Sequence, residues 1–114
     1  MPKSSLIIDL GKKMISISFN DLFYITTVKD QDHMLKFVTK NRNYYCKGTL
    51  KKYEHIEPST LFRCHKSTLV NLRLIKEIDK KKKKIYFING DEQSCMFSRR
   101  KLSNLTNCWK NNMI

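Results

Sequence analysis

Glycine and proline are scarce in this chain, with 3 Gly and 2 Pro in 114 residues. Neither GxGxxG nor GxxxxGK(S/T) occurs, which excludes the glycine-rich loops that cradle nucleotide phosphates. Acidic residues are also few: 10 Asp and Glu stand against 23 Lys and Arg. A two-metal nuclease needs a convergent set of carboxylates, and this stock supplies few. No apolar run approaches the roughly 20 residues that cross a hydrocarbon core, and residues 1–10 lack the apolar stretch of a secretory signal. The expected setting is therefore the cytoplasm, with no membrane partner. The 4 cysteines stand at positions 46, 64, 95 and 108. They form no CxxC or CxxH pair, so zinc is not expected, and in a reducing compartment they read as free thiols packed inside the protein.

What is present is a core and a strong positive charge. Hydrophobic residues make up 40% and aromatics 11%, enough apolar surface for one packed core in a single domain over residues 1–114. The formal charge of +13 attracts polyanions and makes nucleic acid the leading partner class.

Short β patterns dominate. Ile15, Ile17 and Phe19 alternate with serines in residues 14–19, the mark of a half-buried strand. Residues 6–10 before it and 22–25 after it complete three candidate strands, read as an opening meander. Residues 33–38 and 43–46 flank a polar 40–42 tip and predict a hairpin. Residues 75–79 and 85–88 predict another, with 93–97 as a further strand. A short helix is expected over 49–56, capped by Thr49 and stopped near Pro58. A second is expected over 98–110, with Leu102, Leu105 and Cys108 or Trp109 as its apolar stripe and Ser98 as its cap.

Three features carry charge where chemistry could use it. Residues 80–84 are all lysine, but they fall at a hairpin turn and read mainly as a solvated tip that adds non-specific phosphate affinity. Arg99, Arg100 and Lys101 crowd the start of the last helix, where the backbone is already positive. A DNA phosphate or a guanine edge would relieve that conflict. Residues 61–71 interleave the anchors Phe62, Leu69 and Val70 with Arg63, His65, Lys66 and Ser67, which are expected to point outward. Cys64 and His65 are neighbours on a strand and face opposite sides, which argues against a nucleophile–base pair. His33 lies in a polar loop where its ring could read a base edge.

The combination resembles the LytTR DNA-binding domain, the output module of many bacterial response regulators. The strongest piece is Phe62-Arg63-Cys64-His65-Lys66-Ser67 followed by Val70-Asn71, which carries the family's Arg-x-His-x-Ser core. Supporting pieces are Asp21-Leu22-Phe23-Tyr24-Ile25, Gly48-Thr49-Leu50, Ile75-Lys76-Glu77-Ile78-Asp79 and Ser98-Arg99-Arg100-Lys101. The resemblance spans nearly the whole chain. It implies a mostly β, elongated fold of about ten short strands, with one short internal helix and a C-terminal helix. Loops of that fold dock into successive major grooves of double-stranded DNA.

By the same resemblance, His33 and Arg100 are the base-contacting residues. Lys66 stands where an asparagine is expected, and a lysine cannot reproduce an amide's paired donor and acceptor. Arg63, His65, Lys66, Ser67, Arg99 and Lys101 are assigned to the DNA backbone or minor groove, with Arg63, His65 and Ser67 open between phosphate contacts and loop supports. Cys64 and Cys95 match a pair that forms an oxidation-sensitive disulfide in regulators of this type. The expected activity is sequence-specific binding to direct repeats by two copies that regulate transcription through the transcription machinery, with no catalysis and no cofactor. Nothing in the chain resembles a receiver domain. Two rivals remain: a small basic β protein that stacks structured RNA on Phe23, Tyr24, Tyr44, Tyr45 or Phe87, and a small nuclease using His33 or His65 as base.

Overall fold

The computed structural model describes residues 4–112. Among these residues ten strands form three antiparallel sheets, accompanied by two α-helices, in a molecule of 40 × 34 × 27 Å. The first sheet is a hairpin of β1 (Ser5–Asp9) and β2 (Met14–Ser18), with Ile8 opposite Ile15 and Leu6 opposite Ile17. At its turn Gly11 takes a φ of 92°, a conformation that side chains resist, and its N–H donates to Asp9 Oδ1 at 2.8 Å.

The central sheet has the order β5-β4-β3-β7-β6. Its strands are β3 (Leu22–Thr27), β4 (Met34–Thr39), β5 (Asn43–Lys47), β6 (Leu61–His65) and β7 (Thr68–Asn71). The third sheet joins β8 (Ile75–Asp79), β9 (Lys84–Phe87) and β10 (Gly90–Met96) in sequence order. The opening meander is a misreading, because β3 pairs with β4 and β7 and not with β2. The reason lies at residues 19–22. Phe19 and Leu22 are fully buried, and the Asn71 side-chain amide donates to both of their carbonyls at 2.7 Å. That connection is drawn into the core and sends β3 into a different sheet.

The single core expected from composition is divided in two, because alternation along the central strands buries side chains on both faces of the sheet. Ile25 stands opposite Phe37 and Leu69, and these three join Leu6, Ile8, Ile17 and Phe19 in the first core. Tyr24 stands opposite Val38 and Val70, which join Phe87, Cys95 and Leu105 in the second. Helix α1 (Leu50–Ile56) covers the first core with Leu50 and Tyr53, and Thr49 caps it as expected by accepting from the Lys52 N–H at 3.4 Å. Helix α2 (Leu102–Asn112) buries Leu105 in the second core, a contribution of roughly 1.5–3 kcal/mol.

Ser98 does not cap that last helix with its side chain. A 3-10 turn over Arg99–Lys101 intervenes, and the α-helical bonds begin only at Leu102. The Ser98 backbone serves instead: its N–H donates to the Cys64 carbonyl at 2.9 Å, and its own carbonyl accepts from Lys101. Lysines 80–83 form the β8–β9 turn, as the charge run predicted, with Asp79 Oδ1 accepting from the N–H groups of Lys81 and Lys82.

Candidate nucleic-acid interface

Three segments carry the expected contact residues, and backbone bonds tie them together. The first is the loop between β3 and β4. It contains two residues in the left-handed region, Asp30 at φ 66° and His33 at φ 59°. Histidine adopts that conformation more readily than β-branched residues do, but it still stores strain. The loop is held by Val28 N–H donating to Met34 O at 3.1 Å and Gly48 N–H donating to His33 O at 2.8 Å. The His33 side chain is left exposed.

The second segment is the turn between β6 and β7. Its tip, Lys66, is exposed, and almost every other polar group in it is engaged. The Ser67 N–H donates to His65 Nδ1 at 3.1 Å, and the Ser67 hydroxyl lies 2.9 Å from the same nitrogen. A backbone N–H can only donate, so Nδ1 is the acceptor and the ring proton of neutral His65 sits on Nε2. The Ser67 carbonyl accepts from the Thr27 N–H at 3.0 Å and the Thr26 hydroxyl at 2.9 Å, which joins this turn to the base of the His33 loop.

Arg63 departs from the outward orientation its alternation predicted. Its Nη1 donates to the Lys66 carbonyl at 3.0 Å, and its Nη2 pairs with Glu54 Oε1 of α1 at 3.1 Å. Strand alternation could not reveal this, because the partner arrives from a separate helix. Ser67 and His65 are likewise half-buried and not wholly outward.

The third segment is the 3-10 turn, with Arg99 and Arg100 exposed and Lys101 half-buried. The Ser98–Cys64 bond anchors it two residues from Lys66. His33, Arg63 and Lys66 together line one recess of about 370 Å³, with Lys51 and Thr49 from the start of α1 on its wall. Sequence reading missed Lys51. Its signal was a cation two residues past a helix cap, which becomes informative only when α1 is placed beside the other loops. Arg99 lies elsewhere, lining a recess of about 420 Å³ with Lys80, Ser103, Thr106 and Asn107.

Beneath the turns, Cys64 and Cys95 are both buried free thiols in the second core. The hydrogen bond between Cys95 and Cys64, followed by burial, pushes the Cys95 thiol well above its ordinary range. Cys46 belongs to the other core and does not join Cys64 and Cys95. The proposed stacking platforms are also revised. Phe23 and Phe87 are buried, with ring centroids 5.0 Å apart in the second core, and cannot meet a base. Tyr24 packs on Phe87, Tyr44 is half-buried against the first core, and Tyr45 is the exposed member of the set.

The family's sequence model, described as the LytTr DNA-binding domain, matches residues 12–110. The chain belongs to the LytTR family of DNA-binding domains. Over 95 residues it is 27% identical to the accessory gene regulator protein A of Staphylococcus epidermidis and to that of Staphylococcus aureus. Each match covers 83% of this chain and 38% of the relative, so the chain spans well under half the length of these proteins. A solved LytTr DNA-binding domain from Bacillus cereus superposes with a TM-score of 0.72 at 20% identity, over 93% of this chain and 96% of that one. The shared fold is the ten-stranded, two-helix arrangement described above. Among the described residues no helix is long and apolar enough to cross a membrane.

Proposed function

We propose that this LytTR domain reads specific double-stranded DNA sequences and regulates bacterial transcription as the output part of a response regulator. The observation that carries the reading is the recess shared by His33, Lys66 and Lys51, which brings two cations and an exposed imidazole from three separate segments onto one surface. His33 and Arg100 make the base contacts, each worth roughly 1–3 kcal/mol of discrimination. Lys66, His65 through Nε2–H, Ser67, Arg99 and Lys101 contact the backbone or minor groove. Arg63 acts as a loop support. Two copies occupy direct repeats, which compensates for the short contact set of one domain, and bound copies engage the transcription machinery from the cytoplasm. Catalysis and cofactors play no part.

Cys64 and Cys95 make this binding sensitive to oxidants. A hydroperoxide takes two electrons and two protons from the pair, forming one S–S bond while hydrogen peroxide becomes two waters. Because both thiols are buried, the oxidant reaches them only on transient opening of the second core. Replacing both residues by serine must abolish oxidant-induced release of DNA; release at the wild-type rate rejects the switch.

The deciding experiment is selection from a randomised duplex pool at about physiological salt, followed by sequencing of the retained DNA. A motif repeated at whole-turn spacing is the expected result. Retention without any motif would reduce the activity to non-specific polyanion binding, and preferential retention of structured RNA would replace the proposal.

A further inference from the structure

The Arg63 side chain presents a puzzle for an interface that binds a polyanion. It lies two residues before His65 and three before Lys66 in sequence, yet its guanidinium is turned inward, with 26% of the side chain accessible. Both terminal nitrogens have partners, Lys66 O at 3.0 Å and Glu54 Oε1 at 3.1 Å, and Nε is enclosed with no hydrogen-bond partner. A phosphate would have to displace the Glu54 carboxylate from Nη2 or the Lys66 carbonyl from Nη1. The acid itself is out of place by simple electrostatics. Glu54 adds a negative charge beside a recess lined by Lys51, Lys66 and His33, where every phosphate should be repelled by it.

The two oddities explain each other. Lys66 sits at the tip of a two-residue turn, and its backbone is fixed on one side by the Ser67 bonds to Thr26, Thr27 and His65. The Arg63 bond to the Lys66 carbonyl fixes the opposite end of the peptide group whose N–H, on Ser67, donates to His65. Arg63 can hold that bond only while its own position is held, and Glu54 supplies the second point of attachment from α1. We propose that Glu54 is a positioning residue for DNA binding: it converts Arg63 from a phosphate ligand into a brace that ties α1 to the β6–β7 turn and sets the direction of Lys66. This rests on the DNA reading above and gives an acidic side chain a favourable role in binding a polyanion.

The sign of the effect separates this from charge alone. Removing a carboxylate near bound DNA should tighten binding by electrostatics, equally for Glu54→Ala and Glu54→Gln. It should also steepen the salt dependence by about 0.9 in log–log slope if Arg63 is released onto a phosphate. The brace predicts the opposite. Glu54→Ala weakens affinity for the selected duplex by about threefold to tenfold, the loss of a single hydrogen bond's worth, without steepening the slope. Glu54→Gln keeps an oxygen acceptor for Arg63 Nη2 and stays within about twofold of wild type. Alanine is a good helix former, so α1 itself is not put at risk.

The test is titration of both variants and wild type with the selected duplex across a salt series, together with ¹⁵N relaxation of residues 65–68 in the free domain. Weaker binding by Glu54→Ala, rescue by Glu54→Gln and lower order at the Lys66 amide are expected. Tighter binding by both variants, unchanged binding by both, or unchanged order at Lys66 would each overturn the inference. Failure of the wild-type domain to retain duplex would sink the DNA reading and this role with it. In that case the relaxation data still report whether Glu54 holds the turn.

Discussion

Two basic turns of this domain solve opposite problems. The β6–β7 turn has one free cation, Lys66, and around it a set of bonds from Arg63, His65, Ser67, Thr26 and Thr27. The β8–β9 turn carries four lysines held by an Asx turn at Asp79 and by one backbone bond, from the Phe97 N–H to the Lys83 carbonyl, with Lys83 at φ 57° closing the hairpin. The first is arranged to hold one charge in one place. The second raises the local positive potential without directing any single ammonium. Sequence reading draws the eye to the lysine run because charge density is a local property. Recognition depends on direction, which bonds from distant strands supply.

The contrast can be broken most severely at its foundation. Asn71 is fully buried at the end of β7, gives two bonds to the Phe19 and Leu22 carbonyls and accepts from Arg73 N–H at 3.0 Å. Asn71→Ala leaves two buried carbonyls without those donors, and a loss of about 2–4 kcal/mol is expected in denaturant unfolding. Under the lysine-rich sheet, Gly90 occupies a comparable position. A Cβ there would lie 2.6 Å from Phe23 Cζ, so Gly90→Ala should cost about 1–3 kcal/mol in the same assay. If both variants unfold like wild type, neither turn owes its placement to these contacts.

Function sharpens the comparison further. Arg100→Ala should reduce the ratio of specific to scrambled-duplex affinity by about 1–3 kcal/mol, whereas changing lysines 80–83 to glutamine should leave that ratio alone and flatten the salt slope. An equal loss of discrimination in both variants would erase the distinction. Ser67→Ala, which removes the hydroxyl beside His65 Nδ1, is a smaller perturbation and should weaken DNA binding by about 0.5–1.5 kcal/mol.

A last expected effect is confined to alkaline pH. Burial first, then the charge and hydrogen bond of Cys46, push Tyr53 up to about 12 from 10.0. The folded state therefore prefers the protonated phenol, and its contribution to stability is intact below pH 10 and lost progressively as pH rises toward 12. Cys95 shifts in the same direction from 9.0. Unfolding monitored from pH 8 to 12 should show falling stability, and Tyr53→Phe should reduce the part of the slope above pH 10.

Much of the fold was legible in short-range pattern. Alternation marked β2, the polar tip at 40–42 marked the β4–β5 hairpin, Thr49 marked the start of α1, and the Leu102/Leu105 spacing marked α2. Each depends on neighbours within a few residues. The pairing of β3 was not legible, since nothing near residue 22 announces an amide donor at residue 71. The same limit governed the interface. His33, Lys66 and Arg100 could be proposed as candidates from sequence, but Lys51 and Glu54 draw notice only from what α1 is packed beside.

By itself, then, the sequence determined the element types, the excess of positive charge and the family, because propensity, charge count and motif spacing are properties of the chain. Tertiary structure decided which charges are free. Lys66 and Arg63 are three residues apart and both cationic, yet one reaches solvent and the other pairs with Glu54, because a helix from another part of the chain brings its carboxylate to one of them.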